Sequence, residues 1–210
     1  MNAKWWLSLS LVTVGLACGI AQADGGAADA FQQSYDSEAA GKTADALGAM
    51  DALPAPQRDG YVAQLRRGWL LYKLGKSADA VDAYVKASTL QPRSVEARVG
   101  LLLPQLALRR WSDVEVGARE LLKLDAGNYL ANLRLAFAVY NQGRFAEAAG
   151  IYQRLAEGYP SDVDVRAGLG WSLFKMGKGS EATAAFRAVL DIAPRNTLAA
   201  EGLKALGAGR

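Results

Sequence analysis

The chain has 210 residues, 51% of them hydrophobic, with 24 Lys and Arg against 21 Asp and Glu, no histidine and one cysteine. Such an even charge balance argues against nucleic acid as the main partner, which asks for a concentrated basic face. Without histidine the usual general base near neutral pH and the commonest metal ligand are missing, so Ser/His and Cys/His nucleophiles and ordinary zinc sites are excluded and no cofactor or metal is expected.

Residues 1–23 come first. Met1 to Lys4 make a positively charged start, Trp5 to Ile20 a largely apolar run, and Ala21-Gln22-Ala23 a small-x-small end before Asp24. These are the three parts of a secretory signal peptide, and cleavage near Ala23 is expected to give a periplasmic or secreted chain. Cleavage also removes Cys18, the only thiol, which suits an oxidising compartment. Two other readings stay open. Gly15-Leu16-Ala17-Cys18 is similar to a lipobox, with Gly15 where that motif usually has Leu, and would anchor a lipoprotein through Cys18. The apolar run is also near the short end of membrane-spanning length and would serve as an uncleaved anchor.

Beyond Asp24 the chain repeats itself. Gly41 and Gly75, Gly143 and Gly177, and Pro160 and Pro194 each lie 34 residues apart, and every other interval in the two series is 68. Units therefore start at Ala27, Tyr61, Val95, Tyr129 and Val163, giving 27–60, 61–94, 95–128, 129–162 and 163–196, with a capping helix and tail over 197–210. Apolar residues recur at helical spacing on two segments per unit, joined by turns such as Gly75-Lys76-Ser77 and Gly177-Lys178-Gly179. Glycine there accepts the left-handed backbone that ends a helix, and the adjacent cation meets the negative end of its dipole. Prolines near place 32 of a unit stop the second helix, and Ser94, Asn128 and Asp162 are suited to cap the next.

Small residues stand where two helices must cross closely: Gly68, Ala136 and Gly170 at place 8, and Ala46, Ala80, Ala148 and Ala182 at place 20. Met50, Tyr84, Tyr152 and Phe186 fill place 24, with Leu101, Leu135 and Leu169 beside the small residues. At these places the chain resembles the tetratricopeptide repeat (TPR) family, most fully in the unit from Val163. The resemblance implies an all-α, right-handed superhelical solenoid of antiparallel helix pairs, here five repeats and a C-terminal cap. The first and third units depart from it. The third has Pro104 inside its first helix, where a kink is expected, Arg109 in place of the turn glycine and Ala126 in place of proline. The first has Gln33 at a normally apolar place and ends early at Pro54-Ala55-Pro56.

The resemblance also implies that first helices line a concave surface, through places 2, 5, 9, 12 and 13. Reading those places gives Tyr35, Trp69, Phe137 and Trp171 at place 9, Tyr72, Tyr140 and Phe174 at place 12, and Lys73, Asn141 and Lys175 at place 13. Places 9 and 12 share a helical face. These ten residues are the candidate ligand groove, an aromatic stripe with a polar, partly cationic margin. It would grip a protein or peptide partner through apolar anchors while the lysines meet carbonyls or acidic groups. The same rings would otherwise only pack one unit on the next.

The expected role is a non-enzymatic periplasmic scaffold or adaptor in assembly or export of an envelope component. A carbohydrate-binding or accessory subunit, with the rings stacked on sugars, is the alternative. Gly168-Leu169-Gly170 lacks the strand and third glycine of a phosphate loop, and Asp79 and Asp82 form a solvated carboxylate pair. Arg66-Arg67 and Arg109-Arg110 read as solvated pairs, with Arg67 at a normally apolar place.

Overall fold

The computed structural model describes the backbone of residues 15–208 and the side chains of 25–207; signal cleavage near Ala23 and lipid attachment at Cys18 lie outside the residues described in full. The described residues form helices only, twelve in all. None is long and apolar enough to cross a membrane. The first unit holds α1 (Gly15–Ala39), α2 (Thr43–Asp51) and the short α3 (Ala55–Arg58). Four pairs follow: α4 (Tyr61–Lys73) with α5 (Ser77–Leu90), α6 (Val95–Ala107) with α7 (Trp111–Leu124), α8 (Tyr129–Asn141) with α9 (Phe145–Gly158), and α10 (Val163–Lys175) with α11 (Gly179–Ile192). The last helix is α12 (Thr197–Ala208). Each helix packs on its partner and on the next unit, and α4, α6, α8, α10 and α12 also touch in series. The architecture is a helix-pair solenoid.

Local chemistry sets the helix ends. Gly41, Gly75, Gly143 and Gly177 hold φ of 75 to 79°. The following residue then donates back five positions, as in Lys76 N–H to the Leu71 carbonyl at 2.9 Å and Lys178 N–H to Leu173 at 3.0 Å. This closes the first helix and satisfies its last carbonyls. Arg109 takes the same turn at φ 54°, without glycine's freedom. At the other ends, Ser94 Oγ accepts from Ala97 N–H, Asn128 Oδ1 from Ala131 N–H, and Asp162 Oδ1 from Asp164 and Val165 N–H. Asn196 Oδ1 does the same for α12, accepting from Ala199 N–H. Through Pro104, α6 remains one helix to Ala107.

The units stack through a repeated wedge. The ring of Tyr84 lies between Gly68 of its own unit and Gly100 of the next, so close that a Cβ at either glycine would approach it to 2.8 and 2.3 Å. Phe186 lies in the same way between Gly170 and Gly202, and Tyr152 lies against Gly168, with Ala136 buried in its own unit. An aromatic at place 24 thus meets a small residue at place 8 and glycine at place 6 of the following unit. Burying each ring contributes several kcal/mol, roughly 3–5 by the cost of truncating Phe to Ala. Where the aromatic is missing, place 6 changes. Met50 is followed by Arg66 and Ala118 by Arg134, and both arginines reach into the joint between units. The third unit also exchanges sizes within itself: Leu102 stands at place 8 and Ala118 at place 24, both buried. Its irregularity in sequence is a complementary packing.

Candidate binding groove

On the concave side of the C-terminal half, α6, α8, α10 and α12 enclose a cavity of about 740 Å³. Its walls are Leu103 and Leu106 from α6, Leu130, Leu133, Arg134, Phe137 and Tyr140 from α8, Asp164, Ala167, Gly168, Trp171 and Lys175 from α10, and Leu198 from α12, with Tyr152 behind. Almost all of these stand at places 2, 5, 9, 12 or 13, because the helical period returns those positions to one face. The lining is mainly aliphatic and aromatic. Leu130, Phe137 and Leu198 are 40%, 45% and 48% exposed, a large apolar surface left open to solvent.

Four of the ten candidate residues, Phe137, Tyr140, Trp171 and Lys175, line this cavity together. Phe137 meets Trp111 edge-on with ring centroids 5.8 Å apart, and Tyr140 meets Phe145 at 5.3 Å. Trp171 is half-buried, edge-on to Phe186 at 5.5 Å and to Phe174 at 5.6 Å, and its buried indole N–H has no partner among the described residues. Phe174 lies behind it, with Lys175 Nζ 6.0 Å from the Phe174 ring. Asn141 turns back on its own helix, donating to the Phe137 carbonyl at 2.8 Å. Leu103 and Leu106 occupy places 9 and 12 of the third unit; a reading that follows aromatics alone passes over them, although their positions mark them.

The other four form a separate cluster in the N-terminal half, organised by Glu38. Its Oε1 accepts from Trp69 Nε1 at 2.7 Å and from Lys73 Nζ at 3.0 Å, and its Oε2 accepts from Arg66. The Arg66 guanidinium lies 3.9 Å from the centroid of the Tyr35 ring, and its Nε and Nη2 donate to Ser34 Oγ and the Ser34 carbonyl. Tyr72 leans on Trp69 at 6.2 Å. Burial pushes the Glu38 carboxyl upward, but donation from Trp69, Lys73 and Arg66 outweighs it and holds the group below its ordinary range. Arg66 is therefore not a solvated arginine: it is 7% exposed and clamps α4 to α1, while Arg67 pairs with Asp51. The sign in the sequence was Glu38 itself, standing at place 12 where Tyr72, Tyr140 and Phe174 stand in other units.

Among the described residues no cluster of three acidic or cysteine side chains converges on a metal-sized site. What the cavity offers is mainly apolar contact, with Arg134, Asp164 and Lys175 as its charged groups and the unpartnered indole N–H of Trp171 buried behind its wall, which is binding chemistry.

No curated protein matches the chain in sequence. Among solved structures it is similar to MamA residues 41 to the end from Desulfovibrio magneticus RS-1, at 15% identity over 82% of this chain and 97% of that one, with a TM-score of 0.76. It is also similar to YrrB, a TPR protein with an unusual peptide-binding site, at 16% identity over 90% and 98% with a TM-score of 0.74. A further MamA structure aligns at 16% identity over 80% and 91%, TM-score 0.72. At such identities the likeness is one of fold. Two family models described as Tetratricopeptide repeat match the sequence itself, one over residues 65–113 and 112–163 and the other over 140–206. With the 34-residue wedge-and-glycine packing they cover, these matches show that the chain belongs to the tetratricopeptide repeat family.

Proposed function

We propose that this protein is an exported, non-enzymatic scaffold that holds an apolar segment of a partner protein in the groove between α6, α8, α10 and α12, in assembly or export of an envelope component. The observation that carries the reading is the cavity of about 740 Å³, walled by leucines and aromatic rings at the concave places. A helix or extended peptide carrying two or three large apolar side chains matches such a surface, and these anchors supply most of the affinity. Membership of a family whose members bind proteins or peptides supports it, as does the peptide-binding site of YrrB. A sugar would need several hydrogen-bonding groups around the rings, and the lining offers few. Export and the envelope role rest on the leader-like residues 1–23.

A photocrosslinking amino acid at position 137, in the groove, is compared in living cells with one at position 116, where Val116 is 62% exposed on α7. The expected result is one partner captured from 137 and not from 116, in an envelope fraction. Identical adducts from both positions, or a cytoplasmic protein, would overturn the proposal.

A further inference from the structure

The repeat supplies its own template for what the groove recognises. In the N-terminal half, the tryptophan at place 9 and the lysine at place 13 of the second unit share one acceptor: Trp69 Nε1 and Lys73 Nζ both donate to Glu38 Oε1, at 2.7 and 3.0 Å. Glu38 comes from place 12 of the preceding first helix. The fifth unit repeats the donor pair as Trp171 and Lys175, at the same places and the same i, i+4 spacing. The acceptor is not repeated, since place 12 of the fourth unit is Tyr140. Both donors line the cavity, and the indole N–H of Trp171 is buried without a partner among the described residues. Leaving a buried donor unsatisfied is costly, so the indole gains a partner by turning toward an acceptor in the cavity. Lys175, exposed at the margin, and Arg134 in the wall outnumber the one acidic wall residue, Asp164, and so favour a negatively charged acceptor.

We infer that Trp171 and Lys175 form a receptor for a carboxylate side chain, so that the bound segment carries a glutamate or aspartate beside its apolar anchors, seated as Glu38 is seated between Trp69 and Lys73. This rests on the groove reading above and names the chemistry of its ligand. Lys73 lies 5.7 Å from the Trp69 ring centroid, whereas Lys175 lies over Phe174 and the Trp171 ring rests on Phe186. Binding therefore turns the Trp171 indole from its inward rest toward the shared acceptor, as Trp69 is turned. The N-terminal half, already holding Glu38, takes no second carboxylate at its own pair. One concave surface thus contains an occupied site and an open site of the same design.

The test pans a random peptide library on the full protein and subtracts binders that survive Leu130→Arg, an exposed wall position whose change blocks the groove without touching the core. Peptides that remain are expected to share an acidic residue at one register position. Its change from Glu to Gln should weaken binding to the unmodified protein about tenfold, the scale of a lost charge-assisted hydrogen bond. Lys175→Met should abolish that tenfold preference, and the unfolding midpoint should stay in place because Lys175 is exposed. In Tyr140→Glu, the internal carboxylate should exclude the acidic peptides and shift the Trp171 indole N–H resonance downfield. Tyr140→Gln is the control, and Lys175→Met carries the test should Tyr140→Glu fail to fold. Groove-dependent binders without an acidic residue, or a Glu to Gln change with no effect, would overturn this inference and leave the groove reading standing. No groove-dependent binder at all would overturn both.

Discussion

Replacing Gly100 by alanine sets two rules of helix energetics against each other. Gly100 lies inside α6, where alanine in place of glycine should stabilise the helix by about 1 kcal/mol. Its missing side chain, however, is the space that Tyr84 fills: an added Cβ would lie 2.3 Å from Cε1 of the ring and 2.7 Å from Cζ. The ring would have to retreat by roughly an ångström to reach ordinary contact, and it is 4% exposed with Gly68 closing its other face. An overlap at 2.3 Å belongs to the upper part of the overpacking range, about 2–3 kcal/mol, so packing should win by about 1–2 kcal/mol. Gly150, inside α9, provides the comparison, because the nearest atom to a Cβ there is the mobile Arg154 Nη1 at 3.9 Å. Gly150→Ala should gain up to about 1 kcal/mol. Urea unfolding followed by circular dichroism reads both, with unchanged slopes required for the comparison. Gly100→Ala should also cost less in a Tyr84→Leu background, since the two residues share one space. A Gly100→Ala protein as stable as the parent would refute the wedge as the joint between units.

Arg109→Gly should stabilise the chain by roughly 1 kcal/mol, because Arg109 holds φ 54° where the other turns use glycine; the same urea titration checks it. Arg66→Met should destabilise by about 3 kcal/mol, since it removes a nearly buried guanidinium that pairs Glu38 across the first two units, and the melting midpoint should fall accordingly. Hydrogen bonds from Arg144 and then Arg119 lower the Glu115 carboxyl from 4.5 to about 2, against the upward push of burial. A depressed carboxylate contributes stability that is fully present above about 4.5 and is lost as pH falls toward 2. The melting temperature of Glu115→Gln should therefore fall less steeply across that window than that of the parent.

Much of the fold was legible because helix pairs leave periodic chemistry. Glycine at the turn, Ser94, Asn128 and Asp162 as caps, and alanine at place 20 each answer a local requirement that a single position reveals. What was not legible depends on pairs of positions from different units. The exchange of Leu102 with Ala118, and the arginine at place 6 wherever place 24 lacks an aromatic, appear only when a residue is compared with its neighbour one repeat away. The same holds for the groove. The places implied by the family resemblance hold most of the cavity wall, yet the ten candidates divide, because a single glutamate at position 38 draws Trp69 and Lys73 into an internal cluster while Phe137, Tyr140, Trp171 and Lys175 face open space. Following aromatic residues rather than all apolar ones also passed over Leu103, Leu106, Leu130 and Leu198.

The claim that the C-terminal groove is a docking surface for an apolar segment is tested most directly by calorimetry with the partner segment crosslinked from position 137. Binding to the parent protein should show a negative heat-capacity change, weaken at least tenfold in Leu130→Arg and remain unaltered in Val116→Arg, because only the first change reaches the cavity. Equal affinity for the parent and Leu130→Arg would contradict it.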